Sequence, residues 1–137
     1  MQQSRWLNWM IEQSSLRNAE SLIRFGAEKL SSISNVPRLE AEVLLSNLLK
    51  INPIKFHTDD IGISSNVMDK FESMIESRFK GMPIAYLIGK KEFWSLEFEI
   101  NQSVLVPRPE TELLIENAIE LLKDHDSPRI LELGTGS

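Results

Sequence analysis

An α+β chain is predicted: a helical bundle over residues 1–80, then a β-hairpin and the first helix and strand of a doubly wound α/β domain over residues 81–137. Three observations carry this. Apolar residues recur at helical spacing as far as Lys80, whereas a two-residue alternation, two prolines and a Gly-x-Gly follow it. Charge changes at the same place: residues 1–80 hold ten basic and ten acidic side chains, residues 81–137 five and ten, so the whole net charge of −5 falls on the second segment. The boundary is placed at Gly81-Met82-Pro83.

Taken in order, Trp6/Met10 and Leu7/Ile11 are i,i+4 pairs, and Leu16, Ala19, Leu22, Ile23, Ala27 and Leu30 continue a stripe, which predicts two amphipathic helices. Ser31 to Asn35 is a turn. Pro37 opens a further helix with Leu39, Val43, Leu44, Leu48 and Leu49 inward, and Ile51-Asn52-Pro53 stops it. After a Pro53-to-His57 turn and a loop through Gly62, a helix carries Val67, Phe71, Met74, Ile75 and Phe79, with Gly81 as its cap. These stripes are read as core rather than as a cofactor box, because a small bundle needs its Leu and Phe inside.

Beyond Gly81, Leu96, Phe98 and Ile100 alternate with Glu97 and Glu99, the pattern of a half-buried strand that can pair with the run before it. Pro107 and Pro109 forbid a helix but let one begin near Pro109 or Glu110, with Leu113, Leu114, Ala118, Ile119, Leu121 and Leu122 apolar. A polar loop from Lys123 to Pro128 then leads to Arg129-Ile130-Leu131-Glu132-Leu133, a short buried strand running into Gly134-Thr135-Gly136-Ser137.

Composition excludes several classes. At 137 residues and 42% hydrophobic, the chain suits one or two small domains. A net charge of −5 argues against a sequence-independent nucleic-acid binder, which needs Lys and Arg to displace counterions. Without cysteine there are no disulfides, thiolate zinc sites or thiol nucleophiles, and His57 and His125 stand far apart, each beside an Asp, so no metal site is expected. Asn8, Glu12 and Gln13 interrupt any signal-peptide core, and no run of ~18 apolar residues could span a membrane. The expected location is the cytoplasm.

The Gly-Thr-Gly is the chemically informative element. A strand that ends in Gly-x-Gly turns sharply, and the missing Cβ atoms bring backbone N–H groups close to a ligand. Phosphate-bearing dinucleotides and S-adenosylmethionine both use such turns, and a plain tight turn has the same look. No Lys-Ser or Lys-Thr follows at P-loop spacing, which removes that reading, while a nicotinamide or nucleotide enzyme stays open.

Four segments in order, Gly81 to Gly89, Glu92 to Leu96, Val106-Pro107-Arg108-Pro109-Glu110-Thr111-Glu112 and Ile130 to Ser137, resemble the release-factor glutamine methyltransferases. Pro37 to Leu45 resembles that family's N-terminal helical domain, so the likeness covers most of the chain. It implies a helical release-factor-recognition domain over 1–80, and a hairpin linker with the truncated start of a Rossmann-like methyltransferase domain over 81–137. The implied reaction moves the methyl group of S-adenosylmethionine to the glutamine amide nitrogen of a Gly-Gly-Gln motif in a peptide chain release factor. The partner implied is that release factor, with no direct nucleic acid, membrane or metal.

An amide nitrogen is a poor nucleophile because its lone pair is delocalised, so catalysis must rest on positioning and on acceptors for its N–H bonds. The family's Asn-Pro-Pro-Tyr supplies those acceptors, but the one Asn-Pro here, Asn52-Pro53, is followed by Ile54. No catalytic residue is therefore expected within these 137 residues, and the chain as given is expected to be inactive. The likeness assigns cofactor binding to Gly134, Thr135, Gly136 and Ser137, to Glu132 where the family usually has Asp, and to Arg108 and Thr111 beside the cofactor. Arg108 is suited to the cofactor's carboxylate, or else pairs with Glu110 or Glu112. Phe93 and Trp94 are read as hairpin aromatics, with a pocket wall as the other role. An alternative function is a stand-alone helical module that binds a release factor.

Overall fold

The computed structural model describes residues 18–135, so the helix expected around Trp6 to Ile11, and Leu16, lie outside the described residues. The described residues fall into two compact units that part between Leu87 and Ile88.

The first unit is helical: α1 (Ala19–Leu30), α2 (Pro37–Leu49), the one-turn α3 (Lys55–Thr58) and α4 (Ser65–Phe79), with α5 (Ile84–Ile88) running to the border. Asn18 caps α1, its side-chain oxygen accepting the Ser21 N–H at 3.1 Å, and Glu20 and Lys29 sit at the ends the helix dipole favours. Pro37 starts α2, and Lys50, at φ 54°, stops it in the left-handed region. Gly81 follows α4 at φ 99°, a conformation open to glycine, as its place after Phe79 predicts.

The core forms where α1, α2 and α4 meet. Ile23, Leu30, Leu44, Leu45, Phe71 and Ile75 are fully buried there. Gly26 makes this possible: a Cβ on it would lie 2.9 Å from Ile75 Cδ1 and 3.0 Å from both Ala41 Cβ and Phe71 Cζ. The inward faces differ by a position or so from the expected stripes in places. Gly26 and Phe25 are buried where Ala27 was expected, and α2 turns Ala41, Leu44 and Leu45 inward while Leu39 is 56% exposed. The cause is steric, since Ala41 is the small residue that faces Gly26.

Ion pairs tie each pair of these helices. Arg38 on α2 donates to both carboxylate oxygens of Glu20 on α1, at 2.9 and 2.8 Å, and its Nε lies 2.9 Å from Glu42 Oε1. The Arg38 hydrogen bond holds the Glu20 carboxyl below its ordinary pKa. The Arg38 Nε contact gives the buried Glu42 side chain a partner. Arg78 on α4 donates to both oxygens of Glu40 on α2, at 2.9 and 3.0 Å, and Lys29 on α1 pairs with Glu76 on α4.

The second unit holds β1 (Lys90–Phe93) and β2 (Leu96–Glu99), antiparallel with Phe93 opposite Leu96 and Lys91 opposite Phe98. A 3₁₀ turn, Pro109–Thr111, leads into α6 (Glu112–Leu122), where the two prolines place it. Residues 129–133 differ from expectation. They pair with no strand among the described residues, and Ile130, Leu131 and Leu133 are 69%, 83% and 85% exposed. A strand exists only where a neighbour takes up its backbone groups, and the two-stranded sheet here is the hairpin alone. Among the described residues no helix is long and apolar enough to cross a membrane.

Two predictions come from this packing. Phe71→Ala removes a fully buried ring and is expected to cost about 3–5 kcal/mol, while Gly26→Val overpacks the three-helix contact and costs about 1–3 kcal/mol; thermal melts in which either variant matches the parent would contradict the arrangement. Burial, and then the nearby Asp69 carboxylate, raise the pKa of Glu72, with Lys29 opposing. Since its folded pKa lies above its unfolded one, ionised Glu72 destabilises the fold at neutral pH, and the penalty disappears as pH falls below the unfolded value. Glu72→Gln should therefore raise the melting temperature at pH 7, with the gain vanishing near pH 3; a constant gain at both would exclude charge as its cause.

Candidate functional site

A cavity of about 630 Å³ lies within the second unit, and its walls come from three stretches of chain. The hairpin supplies the first. Register puts Lys91, Phe93, Leu96 and Phe98 on one face and Lys90, Glu92, Glu97 and Glu99 on the other, so the alternation in sequence becomes a mainly apolar face and a charged one. Phe93 and Phe98 meet edge to face, centroids 6.1 Å apart at 71°, and both line the cavity. The Ile100 N–H donates to the Gly89 carbonyl at 3.0 Å and closes the open end of the hairpin.

The second wall is the segment Leu105 to Thr111 with the inner face of α6, where Leu114, Ile115 and Ala118 add apolar surface. Here Arg108 and Thr111 reach the cavity. Arg108 is the residue before the 3₁₀ turn, its carbonyl accepting the Thr111 N–H at 3.0 Å. Its guanidinium forms no ion pair with Glu110 or Glu112 among the described residues, and Glu112 instead accepts a hydrogen bond from the Trp94 N–H at 2.9 Å. Ile130, Leu131, Glu132, Gly134 and Thr135 make the third wall. Gly134 has φ 78°, so the turn after Leu133 is one that a side chain would strain, although nothing lies within 4 Å of where its Cβ would be.

Five of the residues singled out from sequence, Arg108, Thr111, Glu132, Gly134 and Thr135, thus line one cavity, while Gly136 and Ser137 lie outside the described residues. Phe93 lines it as well. Trp94 does not; it sits in the hairpin turn. Phe98 and Val106 were missed as wall residues, although the alternation of Leu96, Phe98 and Ile100 marks the face on which Phe98 lies. One guanidinium, one carboxylate, two threonines and an aromatic wall equip the cavity to hold a small molecule with apolar surface and charged ends. These are binding groups, and no nucleophile paired with a base is among the lining residues.

Comparison with known proteins shows the family. The PrmC N-terminal domain model matches residues 21–89, the helical unit together with the approach to the hairpin, which defines the class of domain present. Beyond it the likeness continues: the release factor glutamine methyltransferase of Coxiella burnetii is 41% identical over 112 residues, 81% of this chain and 40% of that protein. The Shewanella oneidensis protein of the same name is 35% identical over 129 residues, 93% of this chain and 44% of its own length. The chain belongs to the release factor glutamine methyltransferase family and carries its N-terminal domain. It spans about two-fifths of the length of these relatives.

The open, apolar lining yields a direct test. Leu114 and Leu131 are 68% and 83% exposed at the cavity wall, so a hydrophobic dye such as anilinonaphthalene sulfonate should brighten on binding. Leu114→Glu with Leu131→Glu is expected to cut that signal by about half or more without loss of helical circular dichroism; an unchanged signal would place the dye elsewhere.

Proposed function

We propose that this chain is the front part of an enzyme that transfers the methyl group of S-adenosylmethionine to the side-chain amide of glutamine in the Gly-Gly-Gln motif of a peptide chain release factor. One observation carries the reading: residues assigned to cofactor binding from three separate stretches of sequence, Arg108 with Thr111, Glu132, and Gly134 with Thr135, line a single cavity. Membership of the family supports it.

In this reading residues 1–80 recognise the release factor and residues 81–137 form one side of the cofactor site. Arg108 takes the carboxylate of the methionine part. Gly134 and Thr135 approach the same end through backbone N–H groups. Glu132 keeps the charge of the family's usual Asp on an arm one methylene longer. Phe93 and Phe98 give the cofactor an apolar wall. The cofactor supplies an electrophilic methyl group; the chain's own residues hold its carrier. No Asn-Pro-Pro-Tyr occurs in the sequence, so the acceptors for the substrate amide, and with them turnover, are not supplied by these 137 residues.

A second reading, a helical module that binds a release factor without catalysis, is favoured by one contrast. The first unit buries Leu44, Phe71 and Ile75 completely, whereas α6 has no buried residue.

The experiment joins this chain to the part of the Coxiella burnetii relative that it does not cover and follows labelled methyl transfer to a release factor. Expected is label on the Gly-Gly-Gln glutamine, with Arg108→Ala raising the cofactor KM at least about tenfold; a folded chimera that binds release factor but transfers no methyl would favour the module instead. The 137-residue chain alone is expected to bind S-adenosylmethionine more weakly than about 100 μM, and micromolar affinity by calorimetry would overturn the view that its half of the site is insufficient.

A further inference from the structure

The turn between β1 and β2 consists of Trp94 and Ser95, both at positive φ, 51° and 57°. A two-residue turn with both residues in that region is type I′, whose twist fits a hairpin and whose usual sequence is Asn-Gly. Trp and Ser are poor choices for it, because a Cβ crowds the backbone in the left-handed region. Neither residue's preference explains the conformation, so something outside the turn must fix it. From the first turn of α6, the Glu112 carboxylate accepts the Trp94 N–H at 2.9 Å.

We propose that Glu112 is a positioning residue: by holding the Trp94–Ser95 turn against the start of α6 it sets Phe93 and Phe98 in the cavity wall opposite Arg108 and Thr111. The path is short. Trp94 follows Phe93 directly, and the hairpin register carries the turn's geometry to Phe98, whose ring meets that of Phe93. At the other end, Glu112 follows Thr111, which lines the same cavity. One hydrogen bond therefore joins the stretches that carry two of the cavity's three walls. The carboxylate also stands where a helix favours negative charge, so the same group starts α6 and clamps the hairpin.

This rests on the reading of the cavity as the cofactor side, but its first test does not need the cofactor. In the 137-residue chain, Glu112→Ala should speed exchange of the Trp94 amide by about tenfold or more and abolish the nuclear Overhauser contact between the Phe93 and Phe98 rings. Glu112→Gln keeps an acceptor and should preserve both. Glu110→Ala, which removes a neighbouring carboxylate that does not reach the hairpin, should change neither. Replacing the turn by Asn-Gly, Trp94→Asn with Ser95→Gly, should make the ring contact independent of Glu112. In an active chimera Glu112→Ala should raise the cofactor KM more than it lowers kcat, with the Asn-Gly turn restoring it. The proposal is overturned if Glu112→Ala leaves the Trp94 amide or the ring contact unchanged, if Glu112→Gln behaves like Ala, or if the Asn-Gly turn gives no rescue. An inactive chimera with these amide and ring effects intact would count against the methyltransferase reading and for the clamp.

Discussion

Three helices of the first unit converge on Gly26, and the rest of that unit follows from how near they come there. A glycine within a helix costs roughly 1 kcal/mol relative to alanine, yet any Cβ here would meet Ile75, Ala41 and Phe71 at about contact-forbidden range. What the close approach secures is larger. Leu30, Leu44, Leu45, Phe71 and Ile75 are fully buried around it, and each such side chain contributes on the order of 1.5–3 kcal/mol. The ion pairs then fall one to each helix pair: Arg38 with Glu20 for α1 and α2, Arg78 with Glu40 for α2 and α4, Lys29 with Glu76 for α1 and α4. The half-exposed Arg38–Glu20 pair adds little stability, whereas Arg78–Glu40 is the most sheltered of the three. Their value is in register, because each is in reach only when the helices sit at the depth that Gly26 permits.

The second unit is held by different means. Burial cannot order it, since α6 has no buried residue and Ile100 is the one large apolar side chain taken fully inside among those described there. Its order comes from directional contacts: the closing bond between Ile100 and Gly89, the four-residue ladder, and the Glu112 bond to the hairpin turn. An apolar cavity framed by polar fixings is the result, and a cavity of that kind keeps its shape only while the fixings do.

Much of this was legible in the sequence because periodicity reports which face of an element is apolar. The three long helices α1, α2 and α4, the amphipathic hairpin and the helix start after Pro109 are visible that way, whereas the short α3 and α5 are not. What stayed hidden depends on partners rather than on period. Gly26 reads as an interruption until α2 and α4 are known to press on it, and Leu39 reads as core until Ala41 is seen to take the inward place. Residues 129–133 have a strand's composition, but pairing is a property of two segments and one was in view. At the candidate site, Arg108, Thr111, Glu132, Gly134 and Thr135 were named from motif likeness, whereas Phe98 and Glu112 are known only through the cross-strand register and a side-chain-to-backbone bond.

The charge step at Lys80 bears on which ligand the cavity suits. Residues 81–137 carry five basic and ten acidic side chains, with Glu92, Glu97 and Glu99 gathered on the polar face of the hairpin. Of the residues lining the cavity, Arg108 and Glu132 are the charged ones, so the lining itself is neutral within an acidic surround. A dinucleotide brings two or more negative charges into that field and has one guanidinium to meet them. S-adenosylmethionine carries a carboxylate against an ammonium and a sulfonium, and enters as a net cation. On the proposed function an acidic surround suits a net cation, and Arg108 is the group proposed to meet its carboxylate. Charge thus adds to that proposal a distinction between sulfonium cofactor and dinucleotide that Gly-Thr-Gly alone does not make.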